Sequence, residues 1–151
     1  MRTPVILDVN PDPEALDWEQ EFLTRIETAV IGCCGPDRVN GCPLLEGKPC
    51  AKIEVADGVL FQLDLDRAEH RRLLAKYVRL LDVPIRVVVS AEQQVRWAHL
   101  LHLVEVFTPP IGPATLDAFA AEVESETDCE ESNRDDVRSG LAGAAMPRLA
   151  V

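Results

Sequence analysis

The chain has 151 residues, 47% of them hydrophobic, and a formal net charge of −11. That is the profile of one globular domain rather than a disordered chain. The charge argues against a nucleic-acid binder, which needs a basic face to release counterions from phosphates. It also argues against docking on an anionic membrane surface. No apolar stretch reaches the roughly 20 residues of a membrane span, and the first strand-like run begins too early to leave room for a leader peptide. A cytoplasmic location is therefore expected.

In chain order, Val5-Ile6-Leu7-Asp8-Val9 reads as a short buried strand, broken by Asn10-Pro11-Asp12-Pro13. Asp12 followed by Pro13 and Glu14 has the form of a helix N-cap with proline in the first turn. Leu16, Trp18, Phe22, Leu23 and Ile26 give that helix an apolar stripe. Residues 28–33 form a second strand, and the Gly/Pro-rich stretch 34–49 is irregular, with a short helix expected within it or across 51–55. A third strand is expected over Val59–Leu65 and an amphipathic helix over Glu69–Leu81, carrying Leu73, Leu74, Tyr77 and Val78. A fourth strand over Ile85–Val89, a helix over Glu92–Leu101, a fifth strand over Val104–Thr108 and a last helix over Thr115–Glu124 complete the pattern.

Val/Ile/Leu-rich strands alternating with helices predict a parallel sheet covered on both faces. Right-handed crossovers then bring every strand's carboxyl end to one edge, so Asp8, Asp64, Ser90 and Thr108 should share it. Open α/β sheets place their ligands along that edge. Beyond Ser125 the composition changes to an acidic run, Glu126 to Asp136, and then to a Gly/Ala-rich end. The expected division is a domain over 1–124 and a disordered acidic tail over 125–151.

With this order and spacing, residues 4–124 resemble the receiver domain of bacterial response regulators. Gly58 to Leu65 is similar to that family's third strand, and Asp64 falls on its phosphoacceptor position. Pro84 to Ala91 is similar to the fourth strand, and Ser90 falls on the switch hydroxyl. Val106-Phe107-Thr108-Pro109-Pro110 is similar to the fifth strand and its Lys-Pro ending, but Pro109 stands where the family has lysine and Val106 where it has a switch aromatic. The family's two adjacent acids after the first strand are lost in either register, as Asn10-Pro11 or as Asp8-Val9. Proline supplies neither charge nor a donor, and phosphoryl transfer depends on metal and cation neutralising the developing charge.

The resemblance therefore implies a five-stranded, doubly wound, flavodoxin-like fold and an atypical receiver, or pseudo-receiver, with weak or absent phosphoryl acceptance at Asp64. It implies no catalytic activity of its own and a protein partner, a kinase or a regulatory protein, docking on the fourth helix, fifth strand and last helix near Trp97, His99 and Phe107. No cofactor is expected. A Mg²⁺ site, if formed, would be a weakened one drawing on Asp8, Asp12 or Asp66.

Cys33, Cys34, Cys42 and Cys50 fall in one Pro/Gly-rich stretch without the close pairs of zinc sites. Three readings stand: unlinked thiols, a redox pair or Cys42–Cys50 disulfide, and a metal or iron–sulfur site. The second and third define an alternative function, a redox- or metal-responsive module. Cys129 belongs to the tail, and His70, His99 and His102 read as surface helix residues.

Overall fold

The computed structural model describes residues 2–37 and 41–129. Its elements run β1 (Val5–Val9), α1 (Pro13–Arg25), β2 (Ala29–Cys33), α2 (Ala51–Val55), β3 (Gly58–Phe61), α3 (Ala68–Leu80), β4 (Ile85–Val88), α4 (Ala91–Arg96), α5 (Ala98–Leu101) and β5 (Glu105–Phe107). A last helix, α6, covers 113–129. The five strands form one sheet of order β2-β1-β3-β4-β5 in which every neighbouring pair is parallel. This is the doubly wound architecture that the strand–helix alternation predicts.

Alternation along each strand splits the core in two. Ile6 and Leu60 face Leu23 of α1 and Leu116, Phe119 and Val123 of α6. Leu7, Val9, Val59, Phe61 and Val87 face the other way, onto Ile53 of α2, Leu73, Leu74 and Tyr77 of α3, and Leu101 of α5. Gly58 permits the close seat of α6, because a Cβ there would lie 2.5 Å from Val123 Cγ2. Arg86 is buried in mid-sheet on β4, paired with Glu122 of α6 and, at 3.2 Å, with Glu105 of β5.

Three boundaries and one burial differ from the sequence reading. β3 stops at Phe61 although the apolar run continues. Leu63 and Leu65 are still fully buried, but in a loop, so their hydrophobicity reports packing and not a ladder. The helix expected over Glu92–Leu101 is interrupted at Trp97, whose backbone leaves the helical region at φ −112°. α6 continues through residues 125–129, where Thr127 is buried and its Oγ1 donates to Val123 O at 2.8 Å. The domain thus extends at least five residues past 124; residues 130–151, the rest of the expected tail, lie outside the described residues. His70 is buried rather than on the surface, and its Nδ1 donates to Asp64 O at 2.7 Å.

Candidate functional site at the carboxyl edge of the sheet

The strand order reverses between β1 and β3, and a crevice opens outside their carboxyl ends, as it does in sheets of this winding. An open cleft of ≈ 620 Å³ lies there, lined by Asn10, Asp12, Gln62, Asp64, Ser90 and Gln93, with Arg96 and Pro109 at its sides. Asp64 and Ser90 therefore do meet at one cleft.

Their geometry is set by local bonding. Ser90 is the N-cap of α4 in a full capping box: its Oγ accepts from Gln93 N at 3.2 Å, and Gln93 Oε1 accepts from Ser90 N at 3.4 Å. The other end of the same amide, Gln93 Nε2, donates to Asp64 Oδ1 at 2.8 Å. Gln93 is thus a bridge between the two residues. Asp64 stands three residues past the end of β3, exposed, with Oδ1 also accepting from Asp66 N at 3.0 Å. The first residue past β3 is Gln62, whose N–H makes the last ladder bond, to Val9 O at 2.8 Å.

The acids considered for a metal do not converge. Asp12 is occupied as the N-cap of α1, accepting from Glu14 N at 3.1 Å. Asp66 Oδ1 accepts from Arg96 at 2.5 Å and from Trp97 Nε1 at 3.0 Å. Asp8 is fully buried and does not line the cleft, reaching it only through its bond to Gln62. Among the described residues no group of three or more His, Cys, Asp or Glu side chains is placed to hold a metal ion. The cysteines are free thiols: Cys33 and Cys42 are buried in the core with Cys50 packed against it, and Cys34 is exposed. The Cys42–Cys50 disulfide is not formed.

Directly beneath the cleft floor lies a buried polar cluster. Asp8 (0% exposed) and Glu19 of α1 (2% exposed) are joined by two amides. Gln62 Nε2 donates to Asp8 Oδ1 at 3.0 Å and to both Glu19 oxygens at 2.9 Å, and Asn10 Nδ2 donates to Glu19 Oε1 at 2.9 Å. Desolvation, then the Glu19 charge and hydrogen bond, push the Asp8 carboxyl up to about 8. Its Oδ2 has no donor to accept from; an oxygen in that position is satisfied by carrying the proton itself and giving it to Glu19. Asp66 and Asp37 behave oppositely. The Arg96 bond, then the Trp97 bond, hold Asp66 below the usual carboxylate range, and Arg67 does the same for Asp37.

Trp97 is not turned outward. Its indole is half-buried, bonded to Asp66 and covered by the Arg71 guanidinium 3.9 Å from the ring centroid, so it ties α3, the loop after β3 and α4 together. Glu19, Gln62 and Gln93 were not singled out by sequence reasoning. For Glu19 a signal existed: it falls between Leu16 and Leu23 on the stripe of α1 that faces the sheet, where a charge is out of place. Trp18, assigned to that stripe, is instead 43% exposed and stacked on Phe22.

No protein-family model matches the chain, and no curated protein matches it. Solved structures do. A CheY-like response regulator receiver domain protein from Methanospirillum hungatei is 23% identical, covers 83% of this chain and 99% of its own, and superposes with a TM-score of 0.59. The receiver domain of the Francisella response regulator 1452 gives 10% identity, 83% and 99% coverage and a TM-score of 0.61. The adenylate cyclase structure from Rhodopirellula baltica gives 15% identity, 88% and 98% coverage and 0.59. The chain has the fold of response-regulator receiver domains. At these identities the likeness is one of fold, and function must be argued from the site.

Proposed function

We propose that this chain is an atypical receiver-like regulatory module that works through contact with a protein partner, with weak or no phosphoryl acceptance at Asp64. The observation that carries this reading is the make-up of the cleft. Asp64 and Ser90 are held together by Gln93, as a phosphoacceptor and a switch hydroxyl would need to be. The groups that would neutralise phosphoryl charge are missing or engaged. Pro109 stands at the lysine position, and the cation that does line the cleft, Arg96, is bonded to Asp66. Asp12 is spent on a helix cap, and Gln62 rather than an acid follows β3 directly. Positioning without neutralisation supports little transfer chemistry.

A kinase or regulatory protein is the expected partner, on the surface of α4, β5 and α6. Val95 of α4, 81% exposed, lies on that side and is a suitable apolar contact. The thiols offer no comparable case for a redox or metal role, because Cys33 and Cys42 are packed in the core. Any Mg²⁺ would bind weakly, through Asp64 or the acids beside it.

The test is an amide NMR titration with Mg²⁺ and then beryllofluoride, a mimic of the acyl phosphate, on the wild type and on Asp64→Asn. The proposal expects little response around Asp64, Ser90 and β5 at millimolar Mg²⁺. A clear response, abolished in Asp64→Asn, would show a working acceptor and overturn the weak-acceptance reading.

A further inference from the structure

At the other end of the sheet, two grooves flank Leu81, and their charges are opposite. One, of ≈ 500 Å³, is rimmed by Asp82, Glu105, Glu122 and Glu126, with Arg86 paired to Glu105 and Glu122 among its lining residues. The other, of ≈ 620 Å³, has Leu44, Ile53 and Leu81 at its base and Lys48, Lys76 and Arg79 on its rim, with Glu54 the one acid among its lining residues. Lys76 and Arg79 make no ion pair with a described residue, and Lys48 reaches only the exposed Glu46, at 3.3 Å. Leu80 and Val55, both about half exposed, add apolar surface from α3 and α2. In a chain of net charge −11, an apolar groove with an unpaired basic rim is unusual, and the chain carries a segment that matches it.

α6 descends to this end of the sheet: Val123 packs at Gly58, the first residue of β3, and Glu126 lines the acidic groove. The chain then continues for residues 130–151. Glu130, Glu131, Asp135 and Asp136 come first, with Arg134 the single cation among residues 130–136, followed by Val137 and Leu141. At about 3.3 Å per residue, residues 130–136 can span up to roughly 20 Å. The acidic groove beside the helix end repels such a segment, and the basic one beyond Leu81 attracts it.

We propose that the acidic segment 130–136 docks in cis on the groove between α2 and α3, its carboxylates on Lys48, Lys76 and Arg79 and the apolar residues after it on Leu80 and Val55. Each exposed ion pair is weak alone. A tethered segment, however, faces the groove at an effective concentration in the millimolar range, so several weak contacts suffice. An external acidic segment would compete for the same groove, which would make the tail a self-masking element for a second docking surface remote from the Asp64 cleft.

The experiment uses the full chain. Amide NMR spectra are compared for the wild type, for the groove double Lys76→Glu/Arg79→Glu, and for the tail double Glu130→Lys/Glu131→Lys. Lys76 and Arg79 lie outside the buried core, and the dispersion of each variant's spectrum reports whether it is folded. Docking predicts that either double shifts the resonances of both tail and groove. It predicts that the quadruple variant, with the charges exchanged, returns them toward wild type. It predicts that about 1 M salt, where the Debye length is roughly 3 Å, reproduces the effect of the doubles. Tail resonances that ignore the groove double overturn the proposal. So do groove shifts that disappear on dilution, which would mean that a second copy and not the chain's own tail fills the groove.

Discussion

Two sets of carboxylates in this fold are stabilised by opposite means. Asp66 and Asp37 are solvent-exposed and each meets an arginine, so their ionised forms are favoured. Asp8 and Glu19 are buried and meet only each other and two amides, so Asp8 keeps its proton at neutral pH. The difference shows that partner and solvent, not residue type, decide what an acid does in this fold. Asp66 pins the loop after β3 to α4 and Asp37 bonds to Arg67 at the start of α3; the buried ones pin α1 to the sheet beneath the cleft floor.

The comparison can be broken most strongly at Glu19. Glu19→Ala leaves the Asn10 amide and part of the Gln62 amide without acceptors in a buried site, and each lost partner costs about 1–3 kcal/mol. A destabilisation of about 2 kcal/mol in urea unfolding is expected, after allowing for relief of the Asp8 repulsion. No change in midpoint would mean that the buried cluster contributes nothing net, as some buried charge networks do.

The second expectation concerns pH. The Asp8 carboxyl is raised from 3.8 to about 8, so the unfolded chain releases its proton at lower pH than the folded one. The stabilising contribution is then complete below pH 3.8 and is lost as pH rises, the loss ending above about 8. Across that window the slope is on the order of 1 kcal/mol per pH unit. Stability measured between pH 6 and 9 should therefore fall in the wild type and be flatter in Asp8→Asn. Equal slopes in the two proteins would remove Asp8 as the source.

The smallest effect is expected at the exposed acid. Asp66→Asn loses an exposed ion pair and should change stability little, but it should loosen the Trp97 indole from its anchor. The sign is opposite to that of Asp8. The depressed Asp66 carboxyl supports the contact above the ordinary Asp range, and the contact is lost as pH falls through the lowered value. The Trp97 indole N–H resonance should therefore move in acid in the wild type and sit near its acid position at all pH values in Asp66→Asn. An indole signal indifferent to both changes would show that the Arg71 stacking alone holds the ring.

The sequence by itself determined the element order, the parallel sheet and the meeting of Asp64 and Ser90 at one edge. These follow from hydrophobic period and chain connectivity, which are local properties summed along the chain. It also carried the Asp12 cap, because a cap is a contact over two or three residues. Where β3 ends was not legible, since Leu63 and Leu65 are apolar whether they pair in a ladder or pack as a loop. Nor could the sequence place Asp8 away from Asp12 and Asp66, bury His70, or join Glu19 to Gln62 across 43 positions. Those outcomes depend on which face of the sheet each side chain meets and which distant groups satisfy it, and only the tertiary structure brings such groups within bonding distance.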